Sequence, residues 1–174
     1  KPLFAASIIL MICVFMLLLK SYKTNNIHLS VFAGIIGLVL GLTHPHDMVT
    51  IYCVNIFYLF WIKANLKQVK SFLLFVILSI PAIIYEFIIL TFDPVFKQWS
   101  KTLTLTPNPI SILIGYGFIG IFAAIYICKN WKNKSKNEIF IISWIFTTLL
   151  LLYFPLRFQR RLILGFHIPL CILA

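Results

Sequence analysis

Apolar runs separated by short polar gaps set the pattern of this chain. The runs fall at about 3–19, 29–43, 48–62, 71–92, 109–128 and 139–156, and a further one opens at 162. A helix of about 20 apolar residues crosses the hydrocarbon core of a bilayer, and several of these runs approach that length. The pattern predicts an all-α fold: a polytopic transmembrane helix bundle of about seven spans, forming a single domain over 1–174. The runs at 29–43 and 48–62 are shorter and are joined by "THPHD". Two arrangements fit them: thin or tilted spans, or a helical hairpin that enters and leaves by one face. Gly34, Gly37 and Gly41 share one face of the first of this pair, as small residues do where helices pack closely. Pro81 is expected to kink the 71–92 span. The chain begins at Lys1 and stops inside an apolar run, so the seventh span reads as truncated and the whole as a fragment of a larger membrane protein.

Composition agrees with a lipid environment. Hydrophobic residues make up 61% of the chain and charged residues only 11%, against roughly 25% charged in a soluble domain. The net charge of +11 does not point to nucleic acid, because the basic residues sit in the gaps between apolar runs, where they act as topology signals. Cys13, Cys53, Cys128 and Cys171 are isolated in apolar segments and show no metal or redox spacing. They read as small packing residues.

If every run crosses, the gaps alternate between two sides. One side receives nine lysines: Lys20, Lys23, Lys63, Lys67, Lys70, Lys129, Lys132, Lys134 and Lys136. That side is expected to be cytoplasmic. The other receives "HPHD", the stretch 93–108 with Lys97 and Lys101, and Arg157, Arg160 and Arg161, the only arginines in the chain. Lysine suffices as a topology signal. Arginine adds a planar fork that grips phosphate or carboxylate with two hydrogen bonds. Arg157, Gln159, Arg160 and Arg161, with His167 six residues further on, therefore read as a site for an anionic group at headgroup depth. Snorkelling to ordinary lipid phosphates is the plainer alternative.

The remaining ionisable residues share this bias. Asp47, Glu86 and Asp93 fall on the arginine side and only Glu138 on the lysine side. Glu86 lies about 9 Å of helix short of the end of its span, so its carboxylate should be protonated, paired or facing a wet cavity; an arginine of 157–161 is the expected partner. His44, His46, Asp47 and Glu86 make up a candidate polar network. No metal or other cofactor is assigned. A divalent ion on His44, His46 and Asp47 is a minor alternative, because the set is short of the usual three or four ligands and residues two apart do not share a helical face. Pro45 suggests a rigid turn, with Asp47 as N-cap of a helix starting at Met48. The loop 92–109 carries Phe96 and Trp99 as interfacial anchors and is long enough to cover a site.

Arg161 and His167 have the spacing of an element found in PAP2-type membrane phosphatases, but the other motifs of that family are missing, which excludes it. The short "HPHD" turn between spans and "FQRRLILGFHIPL" opening a later one are similar to multi-span bacterial membrane proteins of the GT-C class of glycosyltransferases. That resemblance implies transfer of a sugar from a polyprenyl-phosphate carrier on the outer face of the plasma membrane. Membrane lipid and the lipid-linked sugar donor would be the partners, and no nucleic acid. Arg157, Arg160 and Arg161 would match the basic element near the carrier phosphate. The hallmark acid of the class, in its first outer loop, has no match in this chain and would precede Lys1. The catalytic residue is thus unassigned, with Asp47 the candidate among the residues present. An O-antigen polymerase or ligase, and a non-enzymatic transporter of lipid-linked sugar, are the alternatives.

Overall fold

The computed structural model describes residues 2–130, 134–155 and 157–174, the side chains of Trp99 and Ser100 excepted. Lys132, the Trp99 ring and residue 156, the last of the run 139–156, lie outside the described residues. The fold is all-α, with no strand among the described residues: α1 (Pro2–Thr24), α2 (Ile27–Thr43), α3 (Pro45–Trp61), α4 (Leu66–Phe92), α5 (Pro94–Ser100), α6 (Pro109–Lys129), α7 (Lys136–Tyr153) and α8 (His167–Leu173), with a short 3-10 helix at Gln159–Ile163. Four of these, α1, α4, α6 and α7, are long and apolar enough to cross a membrane.

Local signals place the helix starts. Asn65 with Gln68, and Ser135 with Glu138, form reciprocal capping boxes at α4 and α7, each satisfying two backbone donors that a helix start leaves unpaired. Asn26 caps α2, and Asn108 caps α6 with Pro109 at its first position, where the missing N–H costs nothing.

Among the described residues, the lysine-bearing gaps gather at one end of the bundle. There the Tyr22 ring stacks on Tyr58 at 6.1 Å and Phe140 meets Tyr58 at 5.3 Å, joining the end of α1, the end of α3 and the start of α7. Gln68 Nε2 donates to the Tyr22 carbonyl, and Ser21, Ser30 and Ser71 share hydrogen bonds of 2.8 and 3.2 Å. Such interhelical bonds contribute about 0.6–2 kcal/mol each in a membrane.

The same kind of contact fixes how far α2 and α3 reach along the bundle. At the opposite end the Phe4 ring, at the start of α1, packs edge-on against His44 with centroids 5.5 Å apart. The α2–α3 turn therefore stands level with the far end of α1 rather than midway along it, and α2 and α3 each run the length of the bundle. The glycine face makes this possible. A Cβ at Gly34 would lie 2.6 Å from Leu78 Cβ, one at Gly37 2.8 Å from a Phe75 ring carbon, and one at Gly41 2.7 Å from Ala82 Cβ. The backbones of α2 and α4 are therefore closer than any larger residue allows.

Two expectations are corrected. The helix after "HPHD" starts at Pro45, with His44 as the cap residue and no side-chain cap bond; Asp47 lies inside the first turn instead of capping a helix at Met48. Proline's fixed φ suits the first helical position, so the turn closes one step earlier. Pro81 lies inside α4, which stays helical on both sides of it, and α6 carries a non-helical residue at Gly117, at φ 43° and ψ −126°. Second, the stretch from 162 does not begin a straight helix. The 3-10 helix, a turn at Gly165 with φ 78° and then α8 take its place. A Cβ on Gly165 would lie 2.5 Å from Met11 Cε, so α1 packs against backbone there and only glycine meets both demands.

Candidate functional site

Two neighbouring cavities open at the arginine end. The larger, about 590 Å³, is walled by residues that include His44, His46, Glu86, Thr104, Arg160 and Arg161. The smaller, about 80 Å³, lies against His46, Glu86, Thr104, Arg157, Phe158 and Arg161. His46, Glu86, Thr104 and Arg161 border both. The helix starts and ends explain the gathering. His44 and His46 sit where α2 hands over to α3, the arginines lie just beyond α7, and about 30 Å of helix separates Glu86 from Leu66. That length carries Glu86 to the level of the "HPHD" turn.

Arg161 Nη1 and His46 Nε2 are 3.0 Å apart. A guanidinium has no acceptor, so the arginine donates and His46 holds its Nε2 lone pair toward it; the imidazole is neutral. The Phe158 ring lies 4.6 Å from the His46 ring, and together these contacts fix the direction of the Arg161 fork. The two cavities hold three guanidinium groups against one carboxylate, Glu86. An anion fits that balance.

The arginine segment is held by a strap that the apolar pattern does not reveal. Residues 102–107 run extended beside it. Thr104 N–H donates to the Arg157 carbonyl at 2.8 Å, and Arg160 N–H donates to the Thr104 carbonyl at 3.0 Å. Thr106 Oγ1 donates to the Leu152 carbonyl at 2.7 Å, and Tyr153 Oη to the Pro107 carbonyl at 3.4 Å. Gln159 completes the brace: its Oε1 accepts from Thr106 N–H, and its Nε2 donates to the Phe154 carbonyl. Gln159 therefore holds the loop and faces neither cavity. Thr104 is the residue sequence reasoning missed. The alternation in "TLTLT" (102–106), a pattern of extended chain, was the available signal.

The other candidates divide. Asp47 is 2% exposed and does not border the cavities; its Oδ2 lies 3.1 Å from His44 Nδ1, off the alignment of a hydrogen bond. His167 is exposed at the start of α8 and borders neither cavity. His44 and His46 ring centroids are 6.1 Å apart, and no group of three or more His, Cys, Asp or Glu side chains is placed to hold a metal among the described residues.

A separate cavity of about 830 Å³ lies between α3, α6, α7 and α8. Its walls are apolar apart from Lys63, including Trp61, Tyr116, Phe146 and Phe166. It has room for hydrocarbon but no cluster of groups to hold or react with an anion, so the smaller arginine-end cavities are the candidate site.

No family model, curated protein or solved structure matches this chain. The chemistry of the site rests on its own residues.

Proposed function

We propose that this chain is part of a multi-pass plasma-membrane glycosyltransferase, similar to the GT-C class, that takes a sugar from a polyprenyl-phosphate carrier. In this reading the lysine-rich end is cytoplasmic and the arginine end faces outward. The carrier's phosphate sits in the cavity bordered by Arg160 and Arg161, and its hydrocarbon remains in the membrane. The observation that carries the reading is the fixed Arg161 fork, aimed by His46 at a cavity where guanidinium outnumbers carboxylate. Cleaving a sugar–phosphate bond leaves negative charge on the phosphate, and donors already in place stabilise it without reorganising. Glu86 supplies the one carboxylate on the cavity wall and keeps the cluster from excess positive charge before the carrier arrives.

Substituting Arg160→Lys and Arg161→Lys separates this from headgroup snorkelling. Lysine keeps the charge but loses the two-bond fork. A charge-assisted hydrogen bond is worth about 1.5–3 kcal/mol. With part of it retained, each substitution should lower transfer or carrier affinity about tenfold, the equivalent of ~1.4 kcal/mol. The measurement is made at equal membrane abundance on the complete protein. Wild-type behaviour in both variants would leave snorkelling as the explanation.

A further inference from the structure

The chemistry proposed above needs a group to take the proton from the acceptor hydroxyl; the hallmark acid of the class has no match in this chain, and among the residues present the sequence offers Asp47. The structure places Asp47 one layer behind the cavity, 2% exposed in the first turn of α3. In front of it stands His44. We propose that His44, oriented by Asp47, is the proton acceptor of the site; this rests on the transferase reading and deepens it.

Three observations carry the assignment. First, a buried carboxylate is costly unless something pairs with it, and His44 Nδ1 is 3.1 Å from Asp47 Oδ2, while neither atom has a hydrogen-bond partner among the described residues. The two groups have each other. Their alignment is short of a formed bond, as it often is before substrate binds. Second, His44 Nδ1 is buried while the side chain as a whole keeps 20% of its surface exposed. The accessible part of the ring is therefore the part away from Asp47, and His44 borders the cavity that Arg160 and Arg161 share. Third, the other histidine on that wall is committed: His46 Nε2 already accepts from Arg161. His44 is the histidine left for the reaction.

With its proton on Nδ1 facing Asp47, His44 presents a lone pair at Nε2. The acceptor hydroxyl gives its proton to Nε2 as its oxygen forms a bond to the anomeric carbon. The bond from that carbon to the phosphate oxygen breaks, and its electron pair stays on the phosphate beside Arg160 and Arg161. The resulting imidazolium faces the Asp47 carboxylate, which stabilises it without taking the proton. Asp47 acts through His44 and is a positioning residue. The arrangement parallels the way a buried aspartate holds the histidine of a serine hydrolase in one tautomer.

The test uses the complete protein in lipid nanodiscs. Binding of polyprenyl monophosphate is measured for wild type, His44→Gln and Asp47→Asn, together with release of polyprenyl phosphate from a polyprenyl-phosphate hexose. The ring nitrogens of His44 are followed by 15N NMR in wild type and Asp47→Asn. We expect His44→Gln to bind the monophosphate within about twofold of wild type and to lose about 10²–10⁴-fold in release, the usual contribution of a positioned base. Asp47→Asn should shift the His44 proton from Nδ1 toward Nε2, a change that simple loss of stability does not produce, and should slow release at unchanged binding. Failure of the wild type to bind the monophosphate would strike the transferase reading itself. Retained binding with His44→Gln releasing carrier at the wild-type rate would overturn the His44 assignment alone. So would a wild-type His44 that carries its proton on Nε2, a result that needs neither turnover nor a folded variant.

Discussion

Replacing Gly41 by alanine tests how the bundle positions the site. The added Cβ would lie 2.7 Å from Ala82 Cβ, whereas carbon atoms rest at about 3.5–4.0 Å. The helices must separate by roughly 1 Å, and the atoms in conflict are two Cβ atoms fixed to backbone, not flexible side-chain ends. Overpacking of this kind costs about 1–3 kcal/mol. Alanine's better helix propensity returns up to about 1 kcal/mol, so even after full return the net change is a loss of about 0–2 kcal/mol. Gly41 is one turn from His44 and Ala82 one turn from Glu86, so the strain falls on the wall of the arginine-end cavity. Stability is read by reversible unfolding in mixed micelles for Gly41→Ala, Ala82→Gly and the double variant. The double variant should be more stable than the sum of the single effects, since removing the Ala82 methyl makes room for the new one. Increased stability in Gly41→Ala, or strict additivity of the double variant, would refute the close approach of α2 and α4.

Three further outcomes follow from other contacts. Asn55 is fully buried and accepts the Tyr22 hydroxyl at Oδ1, so Asn55→Ala should cost about 1–3 kcal/mol by leaving that hydroxyl unpaired, and adding Tyr22→Phe should recover part of the loss in the same unfolding assay. Gln159→Ala removes the side-chain bond that accepts from Thr106 N–H in the strap and the one that donates to the Phe154 carbonyl, so hydrogen exchange at 102–107 should quicken while the lysine end is unaffected; unchanged exchange would show that the remaining bonds alone hold the strap. With single cysteines at Asn137 and Lys101 in a cysteine-free background, a membrane-impermeant thiol reagent added to intact cells should label position 101 and not 137. The reverse pattern would invert the topology.

Much of the bundle was legible because a lipid-facing helix leaves a plain mark, an apolar run bounded by capping polar residues such as Asn65 and Ser135. The glycine face of α2 was legible for the same reason: three small residues on one face mean close packing. What escaped was set by contacts across space. The departure from helix near Gly165 depends on Met11, about 150 residues earlier in the chain, and no local signal records it. The start of α3 at Pro45 was a matter of one turn's geometry, and the polar side chain of Asp47 drew the cap three residues too far. The arginine cluster stood out in the sequence, and the structure brings it to His46 and Glu86. Gln159 and His167 carried the same signal by proximity alone, yet one braces a loop and the other is exposed away from the cavities. Chemical type nominated them; partners separated them.

Direct binding of polyprenyl monophosphate to the complete protein in nanodiscs tests the central proposal, that the arginine end holds a carrier phosphate. Native mass spectrometry or 31P NMR titration would compare wild type with Arg160→Gln and Arg161→Gln, using ordinary phosphatidylglycerol as competitor. Each glutamine removes a charge-assisted contact worth about 1.5–3 kcal/mol, so affinity should fall roughly 10- to 100-fold per substitution, and excess phosphatidylglycerol should not displace the carrier from the wild type. Equal affinity in all three proteins, or displacement by phosphatidylglycerol at matching concentration, would contradict the proposal.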